Sequence, residues 1–332
     1  MMYRMTFRII ISIVIAGFFI GSSFYYLLGS SYEHNEFQFG ISQGASLRDI
    51  SRSLEEQDYI RSAAAFKLYS ILSGSAHRLK PGTYTFFGDM RVPDIIRAFV
   101  KGPQEVTVLI TEGKALQGID SLLSNQGFLP TGVLATFSGK DFDYLFLQNI
   151  SSLEGFLFPD TYRFLPSASG EEIVNKFLEN FSIKAWPLLE EYARKETKLD
   201  WYDILIIASL IEKEVPETED RRIVSGILRK RLSLGLPLQI DATVIYATCG
   251  GFDKCPPLTK SDFAIKSDFN TYQVFGLPPA PIANPGVDAI YTALNPVSSP
   301  YLYYLSDPKT QKTIFSKTFE EHNINRSRYL SR

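Results

Sequence analysis

One stretch sets the architecture of the larger part of this chain: Ile204 to Glu214 reads Ile-Leu-Ile-Ile-Ala-Ser-Leu-Ile-Glu-Lys-Glu. Its first eight residues are uncharged and mostly apolar, so a helix built from them is apolar on every side and is predicted to be buried. Glu212 stands at the inner end of this run. Burial disfavours a charged carboxylate, as the role of a general acid requires. Alternatively, Glu212 and Glu214 simply mark the point where the helix reaches solvent.

The N-terminus carries a segment long enough to cross a membrane. Residues 9–28 contain no charged side chain, and 20 apolar residues in a helix span the hydrocarbon core of a bilayer. Arg4 and Arg8 precede this segment, which predicts that residues 1–8 form a cytoplasmic stub and that the remainder is exported. The alternative is a cleaved signal peptide with its cleavage site near residues 29–31, although the apolar run is longer than usual for such a signal.

Composition excludes several classes of function. The net charge is −2 and no Lys/Arg cluster stands out, so we expect no binding of nucleic acid. The three histidines are far apart in sequence, so we expect neither a metal site nor a cofactor. Cys249 and Cys255 enclose five residues, two of them glycines, and an exported domain permits a disulfide between them. The alternative is a pair of free thiols.

The first half contains an internal repeat with an offset of 69 residues. Gly44-x-Ser-Leu-x-x-Ile recurs as Gly113-x-Ala-Leu-x-x-Ile, and each copy follows a strand-like run and continues as an amphipathic helix. The first copy opens a β-α-α-β module at residues 36–103 that resembles the LysM-like fold of cell-wall enzymes. A role as a simple spacer is an equally good interpretation. We expect a larger α+β domain at residues 104–332, which makes the whole chain an α+β protein.

The second half holds the denser motifs. A turn rich in aromatic residues, a helical stretch ending in Glu-Lys-Glu, and a long loop fixed by Gly and Pro follow one another. The motifs, in order, are Glu154–Tyr162, Ala208–Glu214, Leu238–Tyr246, Asn270–Tyr272, Gly276–Gly286 and the pair His322-Asn323. In this combination and order they resemble the MltG (YceG-like) family of endolytic murein transglycosylases, from the membrane segment to the end of the chain.

The resemblance implies a catalytic role for one residue and binding roles for four others. Glu212 matches the catalytic acid/base of the family, and Glu154, Gln239, Asp241 and Asn270 match residues of the glycan groove. A glycosidase generally needs a second carboxylate, whereas a lytic transglycosylase uses the 6-hydroxyl of muramic acid as its nucleophile. We therefore expect cleavage of MurNAc–GlcNAc β-1,4 bonds in peptidoglycan with 1,6-anhydro-MurNAc ends, trimming or terminating nascent strands.

Two other functions stay open at this stage. A lysozyme-like hydrolase would use Asp241 or Glu154 as nucleophile or base, and a non-catalytic wall-binding scaffold would use neither. For the enzyme, the expected location is the inner membrane, with a single membrane span and the catalytic domain in the extracytoplasmic space. Expected partners are glycan strands and membrane lipid, with peptidoglycan synthases as further candidates.

Overall fold

The structure is a computed structural model that describes residues 2–29, 36–87, 90–195, 197–215, 217–252, 255–310 and 312–330. It begins with one long helix, α1 (Met2–Leu27). Within α1, Ile10–Leu27 has a mean hydropathy of 1.9, and most of its side chains are exposed. This segment is compatible with a single-pass membrane anchor, as predicted. Most of the alternative cleavage site, residues 30 and 31, lies outside the described residues.

The chain divides into two compact units. The first comprises Met1–Val106 and Phe164–Ser167, and the second comprises Thr107–Arg163 and Ala168–Arg332. The division at residue 106 lies close to the boundary predicted between residues 103 and 104.

The first unit follows the order β-α-α-β after α1 and adds one more helix. Its elements are β1 (Glu36–Ile41), α2 (Leu47–Glu56), α3 (Ala63–Leu72), β2 (Gly82–Phe87) and α4 (Val92–Lys101). Every second residue of β1 is buried, and β1 pairs antiparallel with β2 with Phe39 opposite Tyr84. Phe39, Tyr84 and Phe99 form one aromatic core. The resemblance of this module to LysM domains stays a prediction.

The second unit is mostly helical, with two short pairs of strands. Its elements are β3 (Val106–Leu109), α5 (Leu116–Asn125), β4 (Thr161–Phe164), α6 (Gly170–Lys184), α7 (Trp186–Ala193), α8 (Trp201–Glu214), α9 (Thr218–Ser233), α10 (Asp241–Cys249), α11 (Val287–Leu294), β5 (Tyr303–Ser306), β6 (Thr313–Ser316) and α12 (Phe319–Leu330). Among the described residues the strands pair as β1 with β2, β3 with β4 and β5 with β6.

The sequence repeat corresponds to two helices of equal length. Helices α2 and α5 both contain 10 residues, and their first residues, Leu47 and Leu116, are 69 positions apart. Ser46 caps α2 with its side chain, whereas the matching Ala115 leaves α5 without a side-chain cap. The two copies differ in their surroundings, because the strand before α2 pairs with β2 and the strand before α5 pairs with β4.

Helix α8 is the core helix of the second unit, as its apolar run predicts. Each residue from Ile204 to Ile211 is buried, and α8 packs against α7, α9, α10 and α11. Asp200 caps its N-terminus by accepting a hydrogen bond from the backbone N–H of Asp203 (2.8 Å). Ser209 is satisfied inside the core, because its hydroxyl accepts the N–H of Ile282 (3.1 Å) and donates to the carbonyl of Ile206 (2.7 Å). The position of α8 therefore fixes where the Glu-Lys-Glu segment emerges.

Candidate active site

The two glutamates of the Glu-Lys-Glu segment lie on opposite sides of α8. Successive residues of an α-helix are about 100° apart around its axis, so positions separated by two residues diverge by about 200°. Glu212 faces α9 and the loop before α11, where it contacts Arg221 and Gly286. Glu214 lines a cleft on the other side together with Asp241. Only one of the two carboxyl groups can therefore act in this cleft.

Glu212 is engaged in a buried ion pair. One carboxylate oxygen accepts a hydrogen bond from Nη2 of Arg221 at 2.7 Å, and the other accepts the backbone N–H of Gly286 at 3.0 Å. The exposed fraction is 4% for the Glu212 side chain and 9% for that of Arg221. These two donors hold the carboxyl group of Glu212 in one orientation. The role of Glu212 as the catalytic acid stays a prediction, and Glu214 is the other candidate of the motif.

Arg221 ties the end of α8 to the elements around it. Its Nε donates to the carbonyl oxygen of Val215 at 2.6 Å, and its Nη1 donates to Asp288 on α11 at 3.1 Å. Together with the bond to Glu212, these contacts fix Glu212 before Glu214 in the sequence and Val215 after it. The ion pair therefore stabilises the helix end from which Glu214 projects.

The cleft has a volume of about 850 Å³ and is lined by polar, basic and aromatic side chains. Glu214, Gln239 and Asp241 lie in it, so two of the predicted groove residues are brought together with the second glutamate of the motif. Tyr303 and His322 stack in its wall with ring centroids 5.2 Å apart. Aromatic faces next to carboxylates and amides are a suitable lining for a sugar chain.

Glu214 has the properties expected of a general acid. Burial, and after it the negative charge of Asp241, raise its pKa to about 7, against the opposite effect of hydrogen bonds from Tyr304 and the backbone N–H of Ala242. The acid form is therefore substantially populated near neutral pH, and it is lost as the pH rises above 7. A carboxyl that still holds its proton at neutral pH can protonate a leaving oxygen.

Asp241 is a second carboxyl group in the cleft. It is the first residue of α10, where the helix dipole favours a negative charge, and its Oδ1 accepts a hydrogen bond from the hydroxyl of Tyr272 at 2.6 Å. Asp241 thus differs from Glu214 in environment, although the two lie in the same cleft. A carboxyl favoured as an acid, with a second carboxyl in the same cleft, suits cleavage of a glycosidic bond.

Gln239 is held in a fixed orientation at the cleft. Its φ of +54° is in the left-handed region, and its side-chain oxygen accepts a hydrogen bond from Nη2 of Arg231 at 2.8 Å. Arg231 also donates to the carbonyl oxygens of Pro237 and Leu302, so it connects the segment before α10 to the segment before β5. Gln239 therefore lines the cleft with its side-chain oxygen already paired, and its binding role stays a prediction.

Glu154 is not a residue of this cleft. It is 2% exposed, and its carboxyl accepts hydrogen bonds from the backbone N–H of Leu116 (3.0 Å), the side-chain amide of Asn284 (3.1 Å) and the hydroxyl of Tyr246 (3.1 Å). Burial raises the pKa of Glu154 to about 7, although these donors favour the anion. These contacts join α5, α10 and the loop before α11 inside the core, and the groove role of Glu154 stays a prediction.

Asn270 also lies in the interior instead of the cleft. Its side-chain N–H groups donate to the carbonyl oxygens of Phe263 (3.1 Å) and Ile265 (2.9 Å), and its side-chain oxygen accepts the N–H of Tyr272 (3.0 Å). It is fully buried. Asn270 thus shapes the loop that presents Tyr272 to Asp241, and its effect on the cleft is indirect.

The cysteines form a bond at the end of α10. Cys249 and Cys255 are joined as a disulfide with their Cα atoms 6.3 Å apart. Gly250 ends the helix with a φ of +62°, which starts the return of the chain toward Cys255. Because α10 begins at Asp241, the bridge restrains the far end of the helix that carries this carboxyl. No cluster of three or more metal-binding side chains occurs among the described residues.

Comparison with known proteins identifies the relatives of this chain. The profile of the YceG-like family matches residues 39–328. A Bacillus subtilis (strain 168) protein named endolytic murein transglycosylase is 32% identical over 309 residues, which cover 88% of this chain and 84% of that protein. A protein of the same name from Streptococcus pneumoniae serotype 2 (strain D39 / NCTC 7466) is 28% identical, and the match covers 88% of this chain but 58% of that protein.

The comparison with solved structures gives the same family as the sequence comparisons. The crystal structure of a YceG-like protein from Listeria monocytogenes has a TM-score of 0.58 and 30% sequence identity, over 87% of this chain and 98% of that one. The chain therefore belongs to the YceG-like family.

Proposed function

We propose that this protein is a membrane-anchored lytic transglycosylase that cleaves the glycan strands of peptidoglycan internally, at MurNAc–GlcNAc β-1,4 bonds. The observation that carries the proposal is the carboxyl of Glu214, which lies in the cleft with a pKa raised to about 7. The name of the Bacillus subtilis relative, endolytic murein transglycosylase, supports the same substrate class. In this proposal the acid is Glu214 and not Glu212, because the carboxyl group of Glu212 is paired with Arg221.

The reaction uses the acid twice. Glu214 first donates its proton to the departing O4 of GlcNAc, and an oxocarbenium-like centre develops on the muramic acid ring. The negative charge of Asp241 stabilises this centre. The carboxylate of Glu214 then takes the proton of the muramic acid 6-hydroxyl as that oxygen attacks the anomeric carbon. Intramolecular attack gains a high effective concentration, so water is not needed as the nucleophile.

A hydrolytic reaction is the second candidate, and one observation favours it. Asp241 supplies a second carboxyl in the same cleft as Glu214, which a lysozyme-like enzyme needs as nucleophile or base. In this alternative, water ends the reaction and leaves a reducing MurNAc. Cleavage of glycan strands by either reaction would exclude a non-catalytic scaffold.

The location follows from the first helix. With residues 9–28 as an uncleaved anchor in the inner membrane, the remaining chain acts in the extracytoplasmic space. There the enzyme trims or terminates nascent strands, with peptidoglycan synthases as candidate partners. The LysM-like module at residues 36–103 either holds the glycan or serves as a spacer between the membrane and the catalytic domain.

The chemical nature of the new chain ends tests the proposal. The purified full-length protein is incubated with peptidoglycan sacculi, and the soluble products are analysed by mass spectrometry before and after borohydride reduction. We expect ends that are lighter by one water than hydrolytic ends and that resist reduction, because the 6-hydroxyl closes a 1,6-anhydro ring. Internal cleavage predicts long fragments early in the digestion. Reducible ends would support the hydrolase with Asp241 in a direct catalytic role, and intact strands would support the scaffold.

A further inference from the structure

The end of the anchor helix is built into the first unit. Leu28 is 8% exposed and belongs to the hydrophobic core that contains Phe37 and Phe39, and Phe24 packs against the same core. The carbonyl oxygen of Leu28 accepts the backbone N–H of Val92, at the start of α4, at 3.0 Å. The last turn of the membrane segment is therefore packed into the core of the module.

Two arginines of the module cover the tyrosines of this last turn. The guanidinium of Arg61 lies 4.2 Å from the ring centre of Tyr26 and donates to the carbonyl oxygen of Tyr26 at 3.1 Å. That of Arg91 lies 4.1 Å from the ring centre of Tyr25 and donates to its hydroxyl at 2.6 Å. A guanidinium carries five N–H donors, so each of these hydrogen bonds uses one of them. Both arginines keep the capacity to bind an anion.

The length of the apolar segment sets the depth of these groups. Ile10–Leu27 contains 18 residues, and a helix rises about 1.5 Å per residue, so the segment is about as long as the hydrocarbon core is thick. Its final tyrosines then lie at the membrane–water interface, where tyrosine is enriched in membrane proteins. Because Arg61 and Arg91 contact these tyrosines, they lie at the same level, which is the level of the lipid phosphates.

We propose that Arg61 and Arg91 form a binding site for the phosphate groups of anionic phospholipids and hold the first unit against the membrane surface. The inference rests on the anchor in the proposed function, but it does not depend on the glycan chemistry. Planar guanidinium groups match phosphate oxygens in geometry, and basic side chains near an anionic leaflet are attracted to it. The two arginines thus join the anchor and the module, and they also fix the module's orientation on the bilayer.

Headgroup cross-linking of the full-length protein tests this site. The protein is reconstituted in vesicles of phosphatidylcholine and phosphatidylglycerol that contain a phosphatidylglycerol with a photoactivatable headgroup, and the labelled peptides are mapped by mass spectrometry. We expect labelled peptides around Arg61 and Arg91. Arg61→Gln and Arg91→Gln should each lower the labelling at their own site about fivefold, since each removes one basic group at the surface. Arg52→Gln, on an exposed part of α2, is the matched control and should change nothing.

Further measurements distinguish lipid binding by the two arginines from a purely structural role. Arg61→Lys and Arg91→Lys keep the charge and should retain most of the labelling. With the unchanged protein, unlabelled phosphatidylglycerol should compete with the probe, whereas phosphatidylcholine should compete poorly. Labelling that is absent from both segments, or that ignores the lipid charge, would overturn the proposal. A lipid with a photoactivatable group in its acyl chain should label residues 10–27, and missing label there would show that the anchor itself fails. Digestion of sacculi by the same samples in detergent measures the glycan activity separately.

Discussion

Replacing Glu214 with glutamine is expected to lower the rate of glycan cleavage by at least about 10²-fold while the protein stays folded. Glutamine keeps the size of the side chain but cannot donate a proton to the departing oxygen. The hydrogen bond with Ala242 can remain, because the amide retains a carbonyl oxygen. Release of muropeptides from sacculi gives the rate, and retention of binding to insoluble peptidoglycan shows that the cleft is intact.

Glu212→Gln is the matched control for this experiment, because it makes the same change two residues away on the opposite side of α8. We expect its specific activity to fall less than about tenfold at a temperature where it remains folded, since Glu212 contacts Arg221 and Gly286 and is not in the cleft. A large loss in Glu212→Gln with little loss in Glu214→Gln would return the acid role to Glu212. Unchanged rates in both variants would favour a protein without catalysis.

The same Glu212→Gln variant is expected to lose about 3 kcal/mol of folding free energy. Glutamine removes the negative charge that faces Arg221, and a buried guanidinium that loses one partner is strongly destabilising. Arg221 keeps its hydrogen bond to Asp288, so we expect a loss of folding free energy at the lower end of the range for buried ion pairs that lose one partner. Chemical denaturation of the second unit, followed by the fluorescence of Trp186 and Trp201, measures the change.

A surface ion pair supplies the control for stability. Glu219 lies 3.7 Å from Arg222 on α9 and its side chain is 82% exposed. Glu219→Gln should therefore leave the unfolding midpoint almost unchanged, because exposed pairs contribute little. Equal midpoints for Glu212→Gln and the unchanged protein would mean that the buried pair does not hold the end of α8.

Features fixed by local pattern could be predicted from the sequence. The unbroken apolar run of α8 requires burial whatever its neighbours are, and the uncharged segment in α1 is long enough for a membrane. The repeat with Gly44 and Gly113 predicted two helices that start 69 residues apart, and the structure has them. Helices α6 and α7 meet at Ala185, two residues before Pro187, a residue tolerated in the first turn of a helix but not in its interior.

The contacts that distinguish Glu212 from Glu214 could not be predicted, because their partners lie elsewhere in the chain. Glu212 and Glu214 have equally apolar neighbours in sequence, and Glu212 is paired only because α9 places Arg221 beside it. Glu154 and Asn270 stand in motifs of the family, which predicted a role in the groove. Their side chains are instead satisfied inside the core, by Asn284 and by the carbonyl of Ile265 among others.

The pH dependence of cleavage, measured for the unchanged protein and for Asp241→Asn, tests the role of Glu214 most directly. An acid works in its protonated form, so the rate should be highest below pH 7 and fall as the pH rises through about 7, the pKa of Glu214. The charge of Asp241 raises that pKa, so Asp241→Asn should move this fall to lower pH, whatever it does to the maximal rate. Glu154 also has a pKa near 7, but Asp241 is not among the groups that shift it. A fall near pH 7 that does not move in Asp241→Asn, or that moves to higher pH, would contradict the assignment of Glu214 as the acid.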